Sequence, residues 1–199
     1  MKLTHVKQLL STLISIPSVS THEEKIQKFI EKYIMTLGFD PIWVGPNLAV
    51  KIAGHQSSKA IIFNAHVDTV PVGDKKLWKS DPFAAKEISG KIYGLGASDD
   101  KGAIADLLFL AGNFLKKKPA CDVWLTFVVR EELDGSGTAE LMTWFMKKQA
   151  KYYLDIAGVI GEPTNLSKIE IAHKGNVFLK VTTEGNSGHA SRPMSPGKH

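Results

Sequence analysis

A single cysteine, Cys121, occurs in the 199 residues, which excludes an intramolecular disulfide and leaves it the role of a small buried residue beside a strand. A reducing compartment agrees with that usage. Long apolar runs are also lacking: none approaches the roughly 20 residues that a bilayer-spanning helix needs. Met1-Lys2-Leu3-Thr4-His5 leads into an amphipathic helix, with no apolar segment ending in a cleavage site. The expectation is a cytoplasmic protein with no membrane partner. A strong excess of one charge is missing too, since 25 basic against 20 acidic residues leave only +5. The lysines are scattered, and the one run, Lys116-Lys117-Lys118, follows an apolar stretch where cations complement a helix C-terminus. No nucleic-acid partner is expected.

Several cofactor and nucleophile signatures are incomplete. Gly94-Leu95-Gly96 opens like a dinucleotide fingerprint, but its third glycine would fall at Asp99, whose carboxylate repels a pyrophosphate. Gly185-Asn186-Ser187-Gly188 is not a nucleophile elbow. His22-Glu23 begins a helical zinc motif whose second histidine is replaced by Ile26. There is no internal repeat and no low-complexity segment.

What is present is an ordinary globular composition, 43% apolar with a mean hydropathy of −0.07. Leu9, Leu10, Leu13 and Ile14 recur at helical spacing up to Pro17. A second helix is expected from Thr21, with a capping box to Glu24, and with Ile26, Phe29, Ile30, Tyr33 and Ile34 on one face as far as Gly38. Strands are expected at 39–43 and 48–52, then a polar loop at 54–59, then the buried run Ala60-Ile61-Ile62-Phe63. After an irregular segment, a helix is expected over 101–115, a buried strand over 123–129, a helix from Gly135 to Met146 packed through Met142, Trp144, Phe145 and Met146, and a strand over 156–160. Continuous apolar strands alternating with helices predict an α/β fold, three layers with a mostly parallel central sheet. Ligands of such sheets sit beyond the carboxyl ends of the strands.

Those ends are where the chemistry gathers. His66 and Asp68 leave the first buried strand two residues apart, so that they share a side and the carboxylate can steady the imidazole. Asp99 and Asp100, Glu131 and Glu132, and Glu162 stand at the other junctions. One imidazole among several carboxylates suits a borderline divalent cation, zinc with cobalt or manganese as alternatives. Without cations or protons, carboxylates packed so closely repel one another. His173, at a strand start, reads as structural or supporting; His5, His22, His55 and His199 read as surface residues.

The segments His66-Val67-Asp68-Thr69-Val70-Pro71, Trp78 with Asp81-Pro82-Phe83, Tyr93 to Gly102, Glu131-Glu132, Gly161-Glu162-Pro163-Thr164, Ala172-His173-Lys174-Gly175 and Gly188-His189-Ala190 resemble, in order and spacing, the zinc-dependent aminoacylase and carboxypeptidase family. That family contains succinyl-diaminopimelate desuccinylase, acetylornithine deacetylase and carboxypeptidase G. The resemblance implies that His66 binds one metal together with Glu162, that Asp99 bridges to a second metal held also by Glu132, that Asp68 orients His66, and that Glu131 is the general base. Asp99 is chosen over Asp100 because the family's aspartate stands two positions before Lys-Gly. A cis peptide after that aspartate, two Zn2+ ions and a role for His189 toward the developing oxyanion are implied as well.

By the same resemblance, residues 1–174 are the first part of a catalytic domain and residues 175–199 begin an inserted α+β lid, which the family uses to form homodimers. The family's late metal-binding histidine has no counterpart here. Two functions follow: hydrolysis of a small N-acyl amino acid, by a deacylase or a carboxypeptidase, or metal binding without catalysis. Glu162-Pro163-Thr164 and His173-Lys174-Gly175 lean toward the deacetylase and desuccinylase branch.

Overall fold

From residue 101 onward helices and strands alternate as the hydrophobic pattern predicts, after two leading helices and a run of strands. The computed structural model describes residues 5–165, 169–172 and 182. The chain divides into two units, Met1–Pro163 and Thr164–His199, and every helix and strand described here lies in the first. His173 and His189, and all of the expected lid except Thr182, lie outside the described residues.

Helices α1 (Val6–Ile14) and α2 (Glu24–Thr36) precede the hairpin β1 (Pro41–Val44) and β2 (Asn47–Ile52), then the long strand β3 (Gln56–His66). A small hairpin, β4 (Lys86–Ile88) with β5 (Lys91–Tyr93), turns at Ser89 and Gly90, both at positive φ. Next come α3 (Lys101–Phe114), β6 (Cys121–Val128), α4 (Ser136–Lys148) and β7 (Asp155–Ile160). The main sheet has the order β1-β2-β6-β3-β7; the three strands β6, β3 and β7 run parallel, and β1 and β2 are antiparallel additions at one edge.

The layers follow from side-chain alternation. Leu48, Val50, Val123, Leu125 and Phe127 face Leu9 and Leu13 of α1, Ile26, Ile30 and Ile34 of α2, and Ile104 and Leu108 of α3. Ala49, Ala60, Ile62, Trp124 and Val128 face Leu141 and Phe145 of α4. Apolar residues are therefore needed on both faces of β6, which explains its unbroken apolar run. Each fully buried leucine or phenylalanine contributes about 1.5–3 kcal/mol. Among the described residues, no helix is long and apolar enough to cross a membrane.

Four sequence expectations change. The polar stretch at 54–59 is not all loop: β3 begins at Gln56, which pairs with Cys121, and Lys59 pairs with Asp155 of β7. Backbone pairing at a solvated strand end asks for no apolar side chain, so hydropathy did not mark it. Thr21 does not cap α2; it sits at φ 74 and its hydroxyl meets His22 Nδ1. Cys121 is half-buried rather than buried. Met146 is 63% exposed, while Phe145 is buried in the core and Met142 and Trp144 pack against it half-buried.

Candidate metal centre

Parallel pairing brings three exits side by side. His66 is in register with Val128, and Asn64 with Ile160, so the loops after β3, β6 and β7 leave the same edge of the sheet. The N-terminus of α3, with Asp99 and Asp100 before it, reaches the same edge: the backbone N–H of His66 donates to Asp100 Oδ2 at 3.2 Å. The Asp99–Asp100 peptide is cis, as the resemblance implied.

At the centre is the imidazole of His66, whose side chain is 1% exposed. Its Nδ1 lies 3.0 Å from the Asp68 carbonyl oxygen and 3.3 Å from Asp68 Oδ1, and its Nε2 lies 2.8 Å from Asp99 Oδ1. Asp68 is fully buried and holds more than the ring. Its Oδ1 accepts the N–H of Glu131 at 3.0 Å, and its Oδ2 accepts the N–H of Glu132 at 3.1 Å and the Ser20 hydroxyl at 2.7 Å. One carboxylate thus fixes the exits of both β3 and β6.

His66, Asp99 and Glu132 each present a ligand atom within 4.8 Å of the other two. Glu162 is outside this compact group, although its charge is felt by Asp100. It follows the edge strand β7, whose side chains are exposed, whereas the backbone of Glu132 is tied to Asp68.

The electrostatics are those of a crowded acidic site. Burial alone would lower the pKa of His66, but its hydrogen bonds to Asp68 and Asp99 and the nearby charge of Asp100 push it up to about 11. Burial, with the charges of Glu162 and Asp99, pushes Asp100 up to about 8 against the pull of His66. Glu132 and Glu162 are raised, first by burial and then by the charges of Asp99 and Glu131, against the pull of His66. Asp68 is held low: burial works against its charge, and His66, Ser20 and the Glu131 N–H outweigh burial. With Nδ1 engaged by Asp68, the remaining nitrogen of a neutral His66 is available to a cation together with carboxylate oxygens. This nitrogen-and-oxygen donor set fits a borderline divalent metal.

Sequence reasoning found His66, Asp68, Asp99, Glu131, Glu132 and Glu162, and the structure places all six at this edge. It did not find Ser20, or the buried Lys101, whose Nζ donates to the Ile16 carbonyl at 2.8 Å and so ties the end of α1 to the start of α3. No periodic signal marks either residue. The segment around Ser20 is placed by tertiary pairing, the bridge between Val19 and Thr69 and the bond from Thr69 N–H to Ser18 O.

Comparison with known proteins bears on the family and the fold. The sequence pattern of peptidase family M20/M25/M40 matches residues 62–193. Succinyl-diaminopimelate desuccinylase of Legionella pneumophila (strain Paris) is 30% identical over 96% of this chain and 52% of its own length. The chain therefore spans about half the length of the curated relatives it matches. Among solved structures, human carnosine dipeptidase 1 superposes on 79% of the chain, using 38% of its own, with a TM-score of 0.67 at 20% identity. The Sulfolobus solfataricus M20 family metallo-carboxypeptidase Sso-CP2 covers 79% of this chain and 37% of its own with a TM-score of 0.66 at 23% identity.

Proposed function

Because this chain belongs to peptidase family M20/M25/M40, we propose that it supplies the metal-binding and proton-transferring side chains of an amidohydrolase that removes the acyl group from a small N-acyl amino acid. The observation that carries this reading is the meeting of a His66 ring nitrogen with carboxylate oxygens of Asp99 and Glu132, while the backbone of the neighbouring Glu131 is held by Asp68. His66, Asp99, Glu132 and Glu162 would hold a pair of divalent cations, zinc by donor type with cobalt or manganese as alternatives. Bound there, the cations supply Lewis acidity toward water and toward the amide carbonyl.

The chain's own residues do the rest. Asp68 keeps the Nδ1 side of His66 occupied and sets the direction of the Glu131 and Glu132 backbones. The Glu131 carboxylate takes a proton from the attacking water and delivers it to the departing amine nitrogen, so that amide and water become acid and amine. His189 is assigned as a donor to the carbonyl oxygen. A homodimer of the complete protein and a cytoplasmic location belong to the same proposal.

The Legionella relative's name favours a succinylated or similarly acylated diamino acid, and the solved neighbours' names keep a carboxypeptidase or dipeptidase open as the alternative. Metal binding without turnover is a second reading, favoured by the single compact ligand group of His66, Asp99 and Glu132 among the described residues. The test is metal analysis of the purified chain with hydrolysis of N-succinyl-diaminopimelate, N-acetyl-ornithine and acylated glutamate. Bound divalent metal with turnover of one substrate is expected. Metal without turnover supports the second reading, and no metal binding overturns both.

A further inference from the structure

The backbone after β6 loses its sheet partners at Val128, yet its next four N–H groups are all received by side-chain oxygens from elsewhere in the fold. Val129 N–H donates to Asn47 Oδ1 at 3.1 Å, Arg130 N–H to Glu23 Oε1 at 3.2 Å, and Glu131 and Glu132 N–H to the two oxygens of Asp68 at 3.0 and 3.1 Å. Asn47 opens β2, Glu23 stands before α2 and Asp68 follows β3, so three separate elements grip one loop.

The second of these grips is the one not explained by helix capping. Glu23 is the residue before the first turn of α2, where a side chain ordinarily caps the helix, but its side chain makes no capping bond. It is 6% exposed, which is costly for a carboxylate unless it serves a bond elsewhere. Its side chain instead receives the N–H of Arg130, which sits at φ 61, a left-handed conformation uncommon for a residue with a side chain, while the Arg130 carbonyl receives the N–H groups of Asp134 and Gly135. The two residues after Arg130 are Glu131 and Glu132.

We infer that Glu23 is a positioning residue for the metal centre: by receiving the Arg130 N–H it holds the left-handed turn that aims the Glu131 and Glu132 carboxylates at the site. This rests on the function proposed above. A side chain that acts through backbone direction has to be an acceptor but need not be charged, so glutamine suffices at this position and alanine does not.

The experiment compares the wild-type chain with Glu23→Gln and Glu23→Ala by zinc titration, by the visible spectrum after cobalt binding, and by amide hydrogen exchange at Arg130. Glu23→Ala is expected to weaken zinc binding by about 10–100-fold and to change the cobalt spectrum, while Glu23→Gln stays within about threefold of wild type. Exchange at Arg130 is expected to quicken in Glu23→Ala and not in Glu23→Gln, with the amides in the middle of α2 unchanged in both. Should the alanine variant fail to fold, the glutamine variant still decides: an altered cobalt spectrum or lost Arg130 protection overturns the inference. So does an alanine variant that folds and binds zinc as tightly as wild type. A wild-type chain that binds no metal overturns the proposed function itself, and the Arg130 exchange result shows separately whether the Glu23 bond exists.

Discussion

His66 Nε2 and Asp99 Oδ1 stand 2.8 Å apart, although one leaves a central strand and the other precedes a helix 33 residues later. At that separation the two atoms can share either a proton or a cation. A metal would replace that proton and draw on the same two atoms. Replacement of either partner, His66→Gln or Asp99→Asn, is expected to weaken zinc binding about 100-fold or more, measured by competition with a chelating dye. Affinity within a few-fold of wild type in both variants would remove them from the ligand set.

Glu131 and Glu132 are neighbours with their amides on the same carboxylate, yet they are assigned different work. Glu131→Ala is expected to keep nearly full metal content while turnover falls by about 100-fold or more. Glu132→Ala is expected to lose metal. Metal analysis beside hydrolysis of an N-acyl amino acid separates them, and metal loss confined to Glu131→Ala would exchange the two roles.

Gly137, in the first turn of α4, is a contact that no larger residue can share. A Cβ there would lie 2.1 Å from the Val129 carbonyl oxygen, at the start of the loop that carries Glu131 and Glu132, and 2.8 Å from Asn47 Oδ1, which receives the Val129 N–H. Gly137→Ala is expected to cost about 3 kcal/mol through overpacking. It should also disturb metal binding, because what yields is the exit of β6. Urea unfolding together with a zinc titration checks both effects.

At the far end of the sheet, Asp122 is 1% exposed and receives Gly54 N–H at 2.8 Å, Lys51 Nζ at 2.8 Å and the Tyr153 hydroxyl at 3.1 Å. Burial would raise its pKa, but Lys51, Gly54 and Tyr153 outweigh burial and hold it below the ordinary carboxylate value. A depressed carboxylate stabilises the fold above its unfolded-state pKa, and that contribution is lost as pH falls through the folded-state value. Since Lys51 is 42% exposed, the pair's charge is partly screened. Asp122→Asn is therefore expected to cost about 1–3 kcal/mol near neutral pH, and the difference from wild type should shrink steadily in urea melts taken below about pH 4. A difference unchanged by acid would mean that the hydrogen bonds, and not the charge, hold this corner.

Much of the site was legible because strand-end chemistry repeats along the chain. His66 with Asp68, Glu131 with Glu132, and Glu162 each follow an apolar strand, and parallel strands deliver their exits to one edge. The grips behind those residues left no such trace. The bonds from Val129 to Asn47 and from Arg130 to Glu23 cross 82 and 107 residues, and Glu23 read simply as part of a failed zinc motif.

The order of apolar runs and helical faces by itself determined the layered fold, because burial on one face or two imposes a period that can be counted along the chain. It also determined which residue types could bind a cation. Only the tertiary structure decided which carboxylates stand nearest the imidazole, since Glu132 and Glu162 both follow strands and the backbone of Glu132 is tied to Asp68. Hydrogen bonds between distant elements depend on three-dimensional register, and register is settled when the sheet and its covering helices pack together.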